Sequence, residues 1–149
     1  MKRISEYKKL FGIENEIDLK TLKSTYRNLV KEWHPDKFQE GDVKREEAEV
    51  QSRAIIDGYH FLVSIAPETI EANLEAYTET ITNSGIADYI HDGLVLEITF
   101  LDGTTYEYFG VRKPIYIKMV NSPKLNRFAK RTIYPNYLYR KSKRTLQEA

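Results

Sequence analysis

The chain predicts two domains, an all-α helical hairpin followed by a small α+β unit, and three observations carry that expectation. Apolar residues recur three and four apart as far as Ile81, the spacing of a helix face, and two apart from Leu94 onward, the spacing of a strand. Thr82-Asn83-Ser84-Gly85, the stretch densest in turn formers, lies between them. Charge also changes regime: residues 1 to 53 carry twelve basic and eleven acidic side chains, 54 to 111 ten acidic and no basic ones, and 112 to 144 eleven basic and no acidic ones. The expected division of the 149 residues is a helical domain over 1–66, a linker helix over 67–83, and an α+β domain with a basic C-terminal tail over 84–149.

In the first domain, Ser5 to Phe11 reads as a short helix stopped at Gly12, since glycine accepts the left-handed cap conformation. Asp18 is placed to cap a second helix running to Glu32, whose Leu19, Leu22, Tyr26, Leu29, Val30 and Trp33 share one face. On the same wheel Lys20, Lys23, Arg27 and Lys31 fall within about 80° of one another, a basic ridge beside the apolar stripe. Pro35 disfavours helical geometry at His34, so His34-Pro35-Asp36 belongs to a loop reaching Val43. Ala48, Ser52, Ile55, Tyr59 and Leu62 form the seam of a long helix over Lys44 to Ile65, antiparallel to the second. Pro67-Glu68 restarts a helix whose seam is Ile70, Leu74, Tyr77 and Ile81.

The second domain opens with a three-stranded antiparallel meander. Ile86 to Ile90 is the first strand, Asp92-Gly93 a tight turn, Leu94 to Leu101 the second strand, Asp102-Gly103 another turn, and Thr105 to Phe109 the third strand. Pro114 starts a helix through Val120 and Pro123 another through Arg131.

The helix Tyr26-Arg27-Asn28-Leu29-Val30-Lys31-Glu32-Trp33, then His34-Pro35-Asp36-Lys37, then a helix placing Ile55, Tyr59 and Leu62 to pack back, together resemble the J domain of DnaJ-type proteins over residues 3 to 65. The resemblance implies that His34, Pro35 and Asp36 sit at the exposed tip of a helical hairpin. It also implies that Lys20, Lys23, Arg27 and Lys31 meet acidic surface on a DnaK-type heat-shock chaperone, whose ATP hydrolysis the module stimulates. A lysine and arginine ridge steers encounter and orientation more than it adds affinity, which suits a transient partner. Taken alone, such a stripe is more often a solvated face, and His34 a helix-end residue.

Tyr106-Glu107-Tyr108-Phe109-Gly110-Val111, followed by Pro114, Tyr116, Met119, Asn121, Ser122, Arg127 and Phe128, resembles the KTSC domain over about residues 84 to 140, a module also found at the C-terminus of some lysyl-tRNA synthetases. Asn126 stands where many members have glycine, which implies a left-handed turn there. RNA binding has been suggested for the family from its company. The residues themselves supply a separate argument: the basic run Arg112, Lys113, Lys118, Lys124, Arg127, Lys130, Arg131, Arg140, Lys141, Lys143 and Arg144 is interleaved with Tyr116, Phe128, Tyr134, Tyr137 and Tyr139. Cations for phosphates and rings for bases are what single-stranded RNA binding uses. The candidate RNA or anion site is Tyr106, Tyr108, Arg112, Lys118, Arg127, Lys130, Arg131, Tyr137 and Arg140. The bland alternative is that the tyrosines are core and that the acidic middle and basic end face each other.

No catalytic residues are expected, because no nucleophile and base stand at motif spacing and no glycine loop awaits a phosphate. His60 and His91 lack metal-ligand spacing and the chain has no cysteine, so neither metal nor cofactor is expected. An N-terminus without an apolar core and the lack of a long apolar run predict a cytoplasmic protein with no membrane partner. The expected function is a co-chaperone whose C-terminal domain recognises a target. The alternative is a nucleic-acid-binding protein in which the helical domain is scaffold.

Overall fold

A computed structural model describes residues 2–142, which divide into two compact units, Lys2–Thr69 and the segment from Ile70 onward. The first unit is helical: α1 (Lys2–Leu10), α2 (Leu19–Trp33), a single 3-10 turn (Pro35–Lys37), α3 (Val43–Ile65) and the start of α4 (Pro67–Ala72). The chain leaves α1 through Gly12 at φ +67, with Gly12 N donating to Lys9 O and Ile13 N to Lys8 O, the paired bonds of a glycine helix stop.

α2 and α3 form the antiparallel hairpin. Ala48, Ile55 and Leu62 of the predicted α3 seam are buried, while Ser52 and Tyr59 lie half-exposed at its border. Of the α2 stripe, Leu22 is buried and the others are half-buried, with Tyr26 stacked on Tyr59 at 4.0 Å between ring centroids. α1 lies against α3 at Gly58, where an added Cβ would come within 2.9 Å of the Tyr7 ring. Asp18 precedes α2 as expected, but its carboxylate accepts from the Thr21 hydroxyl at 2.7 Å instead of capping a backbone amide. That bond holds the Asp18 carboxyl below its usual range. The first amide of α2, Leu19 N, donates to Glu68 Oε2 at 3.0 Å, so α4 caps α2.

In the second unit, α5 (Leu74–Asn83) precedes β1 (Ile86–Asp92), β2 (Val95–Phe100) and β3 (Thr105–Phe109); then come α6 (Lys113–Asn121), α7 (Leu125–Phe128), a π-helical turn (Ala129–Ile133) and β4 (Leu138–Ser142). The expected 67–83 helix is broken at Asn73, and its second half is a layer of this unit, with Tyr77 and Thr80 buried. Four antiparallel strands in the order β1-β2-β3-β4 replace the expected three. Residues 138–142, read as basic tail, pair with β3 in the register Tyr108↔Tyr139 and Glu107↔Arg140. Alternation explains the addition: Tyr139 lands beside the core tyrosines, and Arg140 faces Glu107 across the ladder. The remainder of the tail, 143–149, lies outside the described residues.

One core fills this unit. Leu96, Ile98, Phe100, Tyr106 and Tyr108 of β2 and β3 pack with Tyr77, Met119, Ala129, Ile133 and Tyr134 from the helical segments. Asn126 is the second residue of α7 and not a left-handed turn; its Oδ1 accepts from Ile86 N at 3.0 Å, and no residue other than glycine has positive φ among the described residues. The second helix begins at Leu125, two residues after Pro123.

Candidate functional site

His34 ends α2 in extended conformation (φ −62, ψ 126), as the proline that follows requires. Pro35 then opens the 3-10 turn, closed by Lys37 N to His34 O at 3.0 Å and Phe38 N to Pro35 O at 3.1 Å. Asp36 N donates to His34 Nδ1 at 3.2 Å, which leaves Nε2 as the imidazole N–H donor. The three residues are therefore fixed to one another while the two polar side chains stay in solvent, His34 51% and Asp36 80% exposed.

The turn is tied to α3 by Arg45. Its Nη1 donates to Phe38 O at 3.1 Å, its Nη2 lies 3.8 Å from Asp36 Oδ1, and its Nε lies 3.8 Å from Glu49 Oε1. Sequence reasoning passed over Arg45; the available signal was a pair of cations, Lys44 and Arg45, opening α3 just before Glu46, Glu47 and Glu49. Lys20, Lys23, Arg27 and Lys31 are all exposed along α2, and none forms an ion pair among the described residues. A preformed turn thus stands at the end of a helix with four exposed cations.

The candidate residues of the second unit scatter. Tyr106 and Tyr108 are buried; Tyr108 Oη lies 3.0 Å from Tyr77 Oη, and desolvation pushes the pKa of both of these hydroxyls up. Their shared strand face is the core face, so these rings pack inward and present no surface to a base. Arg140 is engaged with Glu107, and Lys130 Nζ donates to Thr82 O at 3.3 Å. Arg112, just before α6, and Lys118, in its last turn, are exposed, and Tyr137 is half-buried against the core. Arg127 and Arg131 are exposed and do come together, with Lys124 and Phe128, around one cavity. Lys143 and Arg144 lie outside the described residues.

His91 Nε2 lies 2.7 Å from Val111 O and its ring stacks on Tyr116, a structural placement; His60 is exposed with its ring against Tyr59. No group of three metal-ligating side chains occurs among the described residues. No helix there is long and apolar enough to cross a membrane.

Residues 82–137 match the KTSC domain family. The N-terminal region is similar to J-domain proteins. The two matches are consistent with a J domain followed by a KTSC domain. Among its relatives is a tetratricopeptide repeat and J domain-containing co-chaperone of Fusarium oxysporum, 37% identical over 60 residues, which are 40% of this chain and 12% of that protein. The chicken (Gallus gallus) DnaJ homolog subfamily B member 6 is 30% identical over 112 residues, 73% of this chain and 33% of the relative. Its bovine (Bos taurus) counterpart is 25% identical over 130 residues, 85% and 51%. The chain thus spans between 12% and 51% of the length of these relatives. No solved structure matches it. In the N-terminal region the exposed turn is His34-Pro35-Asp36 with Arg45 behind it; in the second unit three of the exposed cations, Lys124, Arg127 and Arg131, line one cavity.

Proposed function

We propose that this protein is a co-chaperone that binds a DnaK-type chaperone through its J domain and stimulates ATP hydrolysis there. The observation that carries the reading is the His34-Pro35-Asp36 turn, internally hydrogen-bonded yet solvent-exposed, at the end of a helix whose cations are exposed. Asp36 offers a carboxylate to a partner cation, and a charge-assisted hydrogen bond of that kind is roughly twice as strong as a neutral one. Lys20, Lys23, Arg27 and Lys31 raise the encounter rate with an acidic surface. The chemistry belongs to the partner's nucleotide site, so the chain is an activator and not an enzyme. The KTSC domain serves as the recognition module. A cysteine-free chain suits a reducing compartment, and we place its action in the cytoplasm.

Single-turnover ATP hydrolysis by a DnaK-type chaperone from the same organism tests this. The intact chain should accelerate turnover, and His34→Gln should abolish the acceleration while leaving the fold intact. Acceleration that survives His34→Gln, or none from the intact chain, removes the reading.

A further inference from the structure

The KTSC domain carries a wide-mouthed cavity of about 430 Å3 lined by Ser122, Lys124, Arg127, Phe128 and Arg131 among others. Three of its seven lining residues are cations. None of Lys124, Arg127 and Arg131 forms an ion pair among the described residues, whereas Arg140 is paired with Glu107. No acidic side chain occurs anywhere from residue 112 to 144, so the segment that builds the cavity contains nothing to neutralise it. Like charges held around one opening repel, and an anion in the opening relieves the repulsion. Phe128 is half-buried: it packs on the domain core and also forms part of the cavity wall. Exposed cations beside an anchored ring match a phosphate with a flat heterocycle attached.

We propose that this cavity holds the backbone of a single-stranded nucleic acid, its phosphates on Lys124, Arg127 and Arg131 and one base against Phe128. A single strand fits the ring because its base faces are free, whereas a duplex buries them in its own stack. This inference does not rest on the chaperone reading, and its assay contains no chaperone, so either can fail without the other.

The test is fluorescence anisotropy of a labelled, mixed-sequence, single-stranded RNA of twelve nucleotides, titrated with the full chain. Three phosphate contacts on a single strand give a log–log salt slope near −2, so association should weaken about twentyfold between 50 and 200 mM salt. Arg127→Glu should weaken binding about tenfold or more, because it turns one contact into a repulsion. Lys113→Glu, an equal charge change at an exposed residue outside the cavity, should stay within about twofold. Phe128→Leu, which keeps an apolar side chain on the core, should cost about fivefold or more. Circular dichroism melts monitor folding, and the exposed Arg127 carries the test if Phe128→Leu unfolds. Undetectable or salt-independent binding, equal losses from Arg127→Glu and Lys113→Glu, or duplex RNA bound as tightly as the single strand would each overturn the proposal.

Discussion

Two buried hydroxyls depend on each other. Tyr77 and Tyr108 meet at 3.0 Å inside the KTSC core, so Tyr77→Phe deletes one partner and strands the other. An unsatisfied buried hydroxyl costs about 1–3 kcal/mol, and a thermal or denaturant melt of Tyr77→Phe should register a loss of that order. Asp102 behaves differently. Partial burial raises its pKa, but bonds from the Thr104 hydroxyl and amide and from the Thr80 hydroxyl outweigh burial and hold it below the usual carboxylate range. A depressed folded-state pKa contributes stability above the unfolded value, and that contribution is lost as pH falls through the folded one. Acid titration of stability should therefore show a component below about pH 4 that Asp102→Asn removes. The identity of such partners was not legible in the sequence: the alternation of β3 placed Tyr106 and Tyr108 on one face, but which face the helices would cover depends on Tyr77, twenty-nine residues before Tyr106.

At the level of elements, the hairpin was legible because its seam repeats three and four apart and its loop holds a proline. What escaped was the tether. Arg45→Ala removes the bond to Phe38 O and the cation beside Asp36, so stimulation by this variant should fall between that of the intact chain and that of His34→Gln. The α1–α3 crossing is set by absence of bulk at Gly58: valine there meets the Tyr7 and Phe11 rings and should destabilise the J domain by about 1–3 kcal/mol in a melt. The fourth strand hid inside a basic run. Arg140 and Lys141 read as tail by charge, yet an edge strand is where charged residues belong, since they discourage pairing with another chain.

Across the whole molecule, the switch from helical to strand spacing made two folding units legible, and each has its own buried residues. Leu62 is fully buried in the first, so Leu62→Ala should cost that unit about 2–5 kcal/mol. Hydrogen exchange in the intact variant should accelerate along α3 and leave β2 and β3 unchanged; acceleration in both would mean that the two cores unfold as one. The charge regimes were equally plain, but a count along the chain does not reveal which cations are paired internally, as Arg140 is with Glu107, and which are open to a partner. The bond from Leu19 N to Glu68 also bears on where the J domain can be excised. A fragment cut after Ala66 leaves the leading amide of its basic helix to water, at the end opposite His34. One extended through Ala72 keeps the carboxylate, and is the piece to use when the J domain is studied alone.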